Sequence, residues 1–520
     1  MVRSWLSKST VVGLIYAYLA NAATPSMVKQ AQLRIPNIEA PNRPLISPNG
    51  TSLPPITTVY EFDQIIDHEN TKLGTFKQRY WMNWEFYEKS GPIVLMTPGE
   101  ASGDGMSGYL TNKSMLGMIA QEQKGAIVLL EHRFFGTSNP YDNLTSQSLE
   151  VLTIQQAIED LVYFAQNVNL PMPGGDQVKP HQVPWVLVGG SYAGALTAWT
   201  MENKPGIFHA AYASSAVVEA ITDFYALFTP IREHMPKNCS ADVERVVAYL
   251  DNLHLTHNQK GIQDLQNAFG LEKLAHIDDF AGALQDNLFD YQLLDYASGP
   301  EAMFYQFCDA LEVKDGVHAP AAGWGLQHAI QAWGNFWNTT YYKNVCGTLD
   351  PESCLGTYDA SQTFYTDVSV GNVWRAWFWM MCNELGFYQP GPPLGQPAIV
   401  SRIVQPVYWE RQCALMFPQK FSKPPTPRVQ ATNKKYKGWN INVKRTFFAT
   451  GVRDHWRDAT LIADGLHKPN TTSQPIYRGN GFHCSDLDTE NGLADPTVLQ
   501  VQKAGLAYMK TWLAQFIPAA

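Results

Sequence analysis

Residues 184–199 read Pro184-Trp185-Val186-Leu187-Val188-Gly189-Gly190-Ser191-Tyr192-Ala193-Gly194-Ala195-Leu196-Thr197-Ala198-Trp199. An apolar run passes through Gly-Gly-Ser and emerges as a stretch of small residues, which predicts a buried strand, a sharp turn and a helix. This is the context of a nucleophile elbow, in which a serine on a strained strand-to-helix turn lifts its hydroxyl above the sheet. Bulky residues two positions to either side of that serine would collide. Here those positions hold Gly189 and Ala193, followed by Gly194, with alanine where a second glycine is usual. The bare pattern also arises by chance; the strand before it and the helix after it give it weight.

Working outward, short apolar runs bounded by turn residues predict further buried strands at 93–96 (Ile-Val-Leu-Met), 126–130 and 183–188, with a one-faced helix over 149–168 between them. Strands alternating with helices predict an α/β fold with a mostly parallel sheet covered on both faces. From residue 217 the texture turns helical, as at 241–253, 261–269 and 321–337, and the cysteines fall mostly there. Strand-like runs return at 446–449 and 475–477, before an amphipathic final helix near 501–517. One sheet interrupted by a helical insertion explains this order. The expected organisation is a signal peptide at 1–22, a Pro-rich leader or propeptide at 23–58, core at 59–216, a helical cap insertion at 217–429 and core again at 430–520.

Composition narrows the functional classes. The chain of 520 residues is 45% hydrophobic and 12% aromatic but only 16% charged, against about 25% in a typical soluble domain. Such a chain folds, and its low charge leans toward an exported or acid-compartment protein. With a net charge of −9 and no basic cluster, nucleic-acid binding is not expected. Arg3 and Lys8 precede an apolar run at 11–19 and then Ala20-Asn21-Ala22, the pattern of a secretory signal, too short to span a bilayer. No later segment is long and apolar enough to cross a membrane. The seven cysteines contain no CxxC pair, so in an oxidising compartment they predict up to three disulfides and one leftover thiol, with no metal site and no cofactor. Sequons at Asn49, Asn112, Asn143, Asn238, Asn338 and Asn470 fit export to the exterior or to a vacuolar or lysosome-like compartment. Nothing in the sequence sets an oligomeric state.

A serine hydroxyl needs a base in hydrogen-bond reach and a carboxylate to orient that base. For a nucleophile elbow the chain order is Ser, then Asp or Glu, then His, each on a loop after a strand. Asp454 and His483 meet this condition, and His483 lies on a glycine-rich turn after the last strand. By spacing alone His455 and His467 compete as base, and Asp458 and Asp486 as orienter. An oxyanion needs two donors, expected from the N–H of Tyr192 and that of Gly99 or Glu100 in the loop after 93–96. The segment Gly103-Asp104-Gly105-Met106-Ser107-Gly108 matches G-x-G-x-x-G, with Glu131 as a conceivable ribose acid. Against a dinucleotide site, Glu100 and Asp104 put carboxylates where a pyrophosphate would lie, and the glycines start six residues past the strand.

Several segments together resemble the serine peptidases that include lysosomal Pro-Xaa carboxypeptidase and dipeptidyl peptidase II. They are the elbow, Glu131-His132-Arg133-Phe134-Phe135-Gly136-Thr137-Ser138, Thr75-Phe76-Lys77-Gln78-Arg79-Tyr80-Trp81, and the Asp454 and His483 segments. Within that family, Thr97-Pro98-Gly99-Glu100, Phe307-Cys308-Asp309-Ala310, Cys382-Asn383-Glu384, Trp456-Arg457-Asp458 and Gly481-Phe482-His483-Cys484-Ser485-Asp486-Leu487 look most like the fungal secreted acid prolyl endopeptidases. The likeness runs from about residue 61 to the final helix.

The resemblance implies an α/β-hydrolase core with a helical cap, a Ser191/Asp454/His483 triad, and cleavage on the carboxyl side of proline at acidic pH. It also implies that Trp456 walls the proline pocket and that Cys382 pairs with Cys413. Two departures stand out: His455 where the family usually has proline, and Thr450-Gly451 in place of Asn-Gly. Proline lacks an N–H and fixes φ, so it calls for a compact aromatic pocket in place of extended-strand recognition. Acidic operation would ask His483 to be neutral at low pH, through burial under the cap. Endopeptidase, Pro-Xaa carboxypeptidase and Xaa-Pro dipeptidyl peptidase differ in how the cleft ends; Glu100 or Asp104 could face a free amine. A lipase or esterase would use the same triad without the family segments.

Overall fold

A computed structural model of the chain describes residues 35–518. The signal peptide and the leader as far as residue 34 lie outside the described residues. Eight strands form one sheet: β1 (Tyr60–Ile65), β2 (Thr75–Asn83), β3 (Ile93–Met96), β4 (Ala126–Leu130), β5 (Trp185–Gly190), β6 (Ala210–Ser214), β7 (Thr446–Gly451) and β8 (Ile476–Gly479). Their spatial order is β1-β2-β4-β3-β5-β6-β7-β8, and only β2 runs against the rest. The expected mostly parallel sheet is therefore present. β3, β4 and β5 are buried along their whole length, as sheets covered on both faces require, which is why they read as unbroken apolar runs.

Helices α1 (Met115–Gln123), α2 (Ile154–Asn167), α3 (Tyr192–Asn203) and α4 (Pro496–Leu513) cover the sheet. α2 starts five residues later than its apolar pattern suggests because Thr153 caps it, its hydroxyl accepting from the Gln156 N–H. Val94, Val186 and Val188 pack under α1 and α4, while Leu95, Trp185 and Leu187 join a larger core continuous with the insertion. Two features went unread in the sequence. β6, Ala-Ala-Tyr-Ala-Ser, lacks the β-branched residues that announce strands, yet it is buried throughout between β5 and β7. β1 and β2 form an antiparallel edge whose outer half alternates in burial.

Between β6 and β7 the chain leaves the sheet and builds helices including Lys237–Leu255, Gln259–Ala268, Ile277–Phe289, Leu326–Phe336 and Val373–Met380. Three disulfides lie inside this insertion, Cys239–Cys308, Cys346–Cys354 and the expected Cys382–Cys413, leaving Cys484 as a buried free thiol. Strand β3 is flanked by β4, its successor, on one side and by β5 on the other. The chain reverses direction of progress there, and the crevice beyond the carboxyl ends of β3 and β5 is where such sheets hold ligands.

Candidate active site

Ser191 stands at the carboxyl end of β5 with φ 61° and ψ −125°, a conformation that a non-glycine residue holds only when its surroundings enforce it. The enforcement is local. A Cβ on Gly189 would lie 2.1 Å from the Ala193 carbonyl oxygen, so only glycine lets the strand turn this tightly into α3. The Ser191 N–H donates to the Ser214 carbonyl at 2.9 Å, tying the turn to the end of β6.

The loops after β7 and β8 bring the other two side chains to this serine. His483 Nε2 is 2.7 Å from Ser191 Oγ, and His483 Nδ1 is 2.7 Å from Asp454 Oδ1. The Trp456 N–H also donates to Asp454 Oδ1, at 2.8 Å, which fixes the carboxylate against the ring. All three side chains are buried. The loops are joined by the Val452 and Arg453 N–H groups donating to the Gly479 and Gly481 carbonyls.

Burial, the largest single effect, would lower the His483 pKa, but the adjoining Asp454 carboxylate and Cys484 together outweigh it and hold the imidazole well above its ordinary value. The low pKa expected from burial is therefore not found in the resting site. Burial would raise Asp454, but the His483 charge and hydrogen bond, with His455 and the Trp456 N–H, together more than reverse that and leave it below the usual carboxylate range.

The competing residues are placed elsewhere. His467 is exposed. His455 is buried beside the site, its ring centroid 5.7 Å from that of His483, but its Nε2 has no hydrogen-bond partner among the described residues and burial drives its pKa down to about 3. Asp486 accepts from the Tyr212 hydroxyl at 2.8 Å and from Ser214 Oγ at 2.7 Å, beneath the site. Asp458 accepts from the Asp464 N–H at 2.7 Å and is pushed up to about 6 by burial.

The loop after β3 flanks α3: Gly99, at φ 75°, sits against Ala193 and Tyr192. The Tyr192 N–H opens α3 and has no intrahelical acceptor, so both expected donors point from the same neighbourhood. Glu100 is buried there, its Oε2 unpartnered among the described residues, and burial pushes its pKa up to about 8.

Trp456 is buried in an aromatic group whose other members, Phe224 and Phe387, sequence reading did not name. Its ring lies 5.4 Å from Phe224, 5.5 Å from Phe387 and 6.4 Å from His483. Phe387 holds φ 59°, a second strained residue at the site. Ser215, also missed, donates its N–H to the Ala449 carbonyl while its Oγ accepts from the Cys484 N–H at 2.9 Å, locking β6, β7 and the His483 loop together.

The G-x-G-x-x-G segment is a structural loop. Asp104 and Glu131 both bind Arg79, at 2.9 and 2.6 Å, and Glu131 also accepts from the Gly103 N–H at 2.9 Å, so no acid is left for a ribose and Asp104 is not at the triad's disposal. Among the sequons, Asn49, Asn112, Asn338 and Asn470 are exposed, and Asn143 and Asn238 are half-buried. The groups of His, Cys, Asp and Glu close enough to hold a metal among the described residues reduce to Cys239, Cys308 and Glu312, and both cysteines are in a disulfide.

A buried serine hydrogen-bonded to a histidine that is itself paired to a carboxylate, on loops at the carboxyl end of a parallel sheet with a helical insertion, defines a serine hydrolase of the α/β-hydrolase class. The profile of the family "Serine carboxypeptidase S28" matches residues 64–506, and the chain belongs to that family of serine peptidases. It is 34% identical over 508 residues to the serine protease vicPa of Bipolaris victoriae, covering 94% of each chain. It is 30% identical to a probable extracellular serine carboxypeptidase of Arthroderma benhamiae over 84% of this chain and 64% of that one. It is also 25% identical to the human lysosomal Pro-X carboxypeptidase over 99% of both. Among the described residues no helix is long and apolar enough to cross a membrane.

Proposed function

We propose that this peptidase hydrolyses peptide bonds on the carboxyl side of proline, within peptide chains, through an acyl-enzyme on Ser191. The observation that carries the reading is the continuous hydrogen-bonded array from Ser191 through His483 to Asp454, with the Trp456 ring beside it. Ser191 Oγ attacks the carbonyl carbon as its proton passes to His483 Nε2. Asp454 holds the imidazole by Nδ1 and stabilises the imidazolium. The oxyanion is met by the N–H groups of Tyr192 and of Gly99 or Glu100. His483 then returns the proton to the leaving amine, and water, deprotonated by the same ring, releases the acyl group.

Proline is favoured as the residue before the cut because Trp456, Phe224 and Phe387 make a rigid aromatic group suited to a compact apolar ring without an N–H. Internal cleavage is favoured because two buried ionisable groups beside the triad, Glu100 and His455, are both held neutral and attract no charged terminus. The second reading is a carboxypeptidase, which the family name and the Pro-X relative favour. Two groups bear on the acidic optimum in opposite senses. Asp454 keeps His483 protonated above its ordinary range, against acid operation, while a Glu100 neutral up to about pH 8 suits it. Export to the exterior or an acidic compartment is part of the proposal, supported by the disulfides and by the names of the relatives.

The test gives the protein and its Ser191→Ala variant a blocked peptide with internal proline, a free-amine Xaa-Pro reporter and a Pro-Xaa carboxylate between pH 4 and 8. Ser191-dependent cleavage of the blocked peptide is expected. Cleavage restricted to the Pro-Xaa carboxylate selects the carboxypeptidase, and no Ser191-dependent cleavage of any substrate overturns the peptidase mechanism.

A further inference from the structure

The Pro-rich segment before β1 reads in sequence as a leader or propeptide, and from Ile35 it is anchored on the core at intervals, with most of the residues between the anchors exposed. The segment lies on the face of the sheet that α1 and α4 cover. Ile38 and Leu45 are buried. The buried Tyr109 hydroxyl donates to the Pro36 carbonyl at 2.6 Å. Gly108 has no room for a side chain because the Ile38 backbone presses on it, a Cβ there falling 1.8 Å from the Ile38 carbonyl oxygen. Arg43 closes an ion pair of 2.8 Å with the buried Glu85. Leu45 is then paired through its carbonyl to the Leu53 N–H, next to a bridge between Ile46 and Ser52.

The start of this segment lies beneath the nucleophile. Gly190, the residue before Ser191, faces this side of the sheet, and a Cβ placed on it would meet Leu487 Cδ1 at 2.8 Å, Ile35 Cγ2 at 3.0 Å and Cys484 Sγ at 3.1 Å. Ile35 thus helps floor the turn that holds Ser191 in its strained backbone, at a point shared with the residue that follows His483. A void there would let the elbow relax, and small displacements of a nucleophile from its base are costly in rate.

We infer that residues 35–45 are a permanent strap of the working enzyme, with Ile35 positioning the nucleophile turn from below, so that the mature chain retains Ile35 and the removable part ends before it. The positioning role rests on the proposed Ser191 chemistry; the retention of the strap does not.

Cys484 provides a reporter that needs no activity. It is the one thiol left by three disulfides, and it is buried against the same floor. The experiment takes the full-length protein as secreted and measures the intact mass of the active form. It then compares wild type, Ile35→Ala and Ile35→Val for kcat, KM and alkylation of native protein by iodoacetamide. A mature amino terminus at or before Ile35 is expected, with Cys484 protected in wild type. Ile35→Ala should lose about tenfold in kcat with KM within about twofold, and its Cys484 should become reactive, while Ile35→Val restores both. An active chain whose terminus lies after Ile35 overturns the strap. Unchanged kcat together with a still-protected thiol in Ile35→Ala overturns the positioning role. If Ile35→Ala does not fold, the wild-type mass alone decides whether the strap is retained. Absence of Ser191-dependent hydrolysis in wild type counts against the proposed function, leaving the mass and alkylation results to judge the strap.

Discussion

Asp454→Asn isolates the charge of the orienting carboxylate. In the structure Asp454 Oδ1 accepts from both His483 Nδ1 and the Trp456 N–H, and Oδ2 has no partner among the described residues. An asparagine whose carbonyl takes the Oδ1 place keeps both acceptor roles and sets its amide where Oδ2 was. The ring orientation survives, and what is lost is the negative charge facing the imidazolium. At a charge separation of ~4 Å and an effective dielectric of ~20 that attraction is about 4 kcal/mol, which corresponds to about a 10³-fold loss in kcat/KM. The sign of the pH effect follows from the same term. Asp454 favours the protonated ring, so its removal leaves burial opposed only by Cys484, the His483 pKa falls, and the acid limb of kcat/KM moves to lower pH. The assay is a kcat/KM profile from pH 4 to 9 on an internal-proline reporter, with Ser191→Ala as baseline and circular dichroism to verify folding. A folded variant that loses less than about tenfold, or whose acid limb stays where it was, would refute the claim that this ion pair sets the resting state of the base.

Wild-type kcat/KM is expected to decline as Glu100, whose pKa burial pushes up to about 8, ionises; Glu100→Gln, fixed in the neutral form, should lack that decline while activity below it is retained, and the pH–rate profiles of both proteins check this. Gly189→Ala places a Cβ 2.1 Å from the Ala193 carbonyl oxygen, against backbone that cannot yield, and should abolish hydrolysis and lower Tm measured by calorimetry. Stability should be highest between the ordinary carboxylate and imidazole ranges and fall on either side. Glu100 and Asp279, pushed up by burial to about 8 and 7, keep protons in the folded state that the unfolded chain has already released, so their contribution is fully present below the ordinary carboxylate range and is lost as pH rises from there to about 8 and 7. His132 and His455, driven down by burial to about 4 and 3, stay neutral when folded and charge when unfolded, so stability falls again as pH drops below the ordinary imidazole range. Thermal melts from pH 4 to 9 measure the curve, and a Tm that climbs steadily to pH 9 would contradict it.

The catalytic geometry was legible where chemistry forces residue types into local patterns. An apolar run entering Gly-Gly-Ser and leaving as small residues has few structural meanings, and β5, the elbow and α3 stand where that pattern places them. Asp454 and His483 could be nominated from chain order, but His455 and Asp486 could not be dismissed. What separates them is burial and partnering: Asp486 is consumed by Tyr212 and Ser214, and His455 is buried against the Tyr291 ring with its Nε2 unpartnered among the described residues. β6 was unreadable because alanine and serine carry no strand signal, although a strand flanked on both sides and faces needs only small side chains. The aromatic group around Trp456 was half visible. Phe224 and Phe387 come from distant parts of the insertion, where one-dimensional spacing holds no information about which rings meet.

The insertion poses a problem of assembly that the structure resolves without covalent help. His483 stands 292 positions from Ser191 yet only 29 from Asp454, so the triad forms only if β7 returns to β6 after the whole insertion. All three disulfides close loops within the insertion, of 69, 8 and 31 residues, and none joins it to the sheet. The return therefore rests on noncovalent pairing: Thr446–Ala449 with Ala211–Ser214 along the strands, the Ser215 N–H on the Ala449 carbonyl at their end, and Ser215 Oγ receiving the Cys484 N–H beside His483. The residues that close the sheet are immediate neighbours of those that position the base. Completion of the fold and alignment of Ser191 with His483 are for that reason one event, and a chain with β7 undocked has a serine on an elbow and no base to activate it.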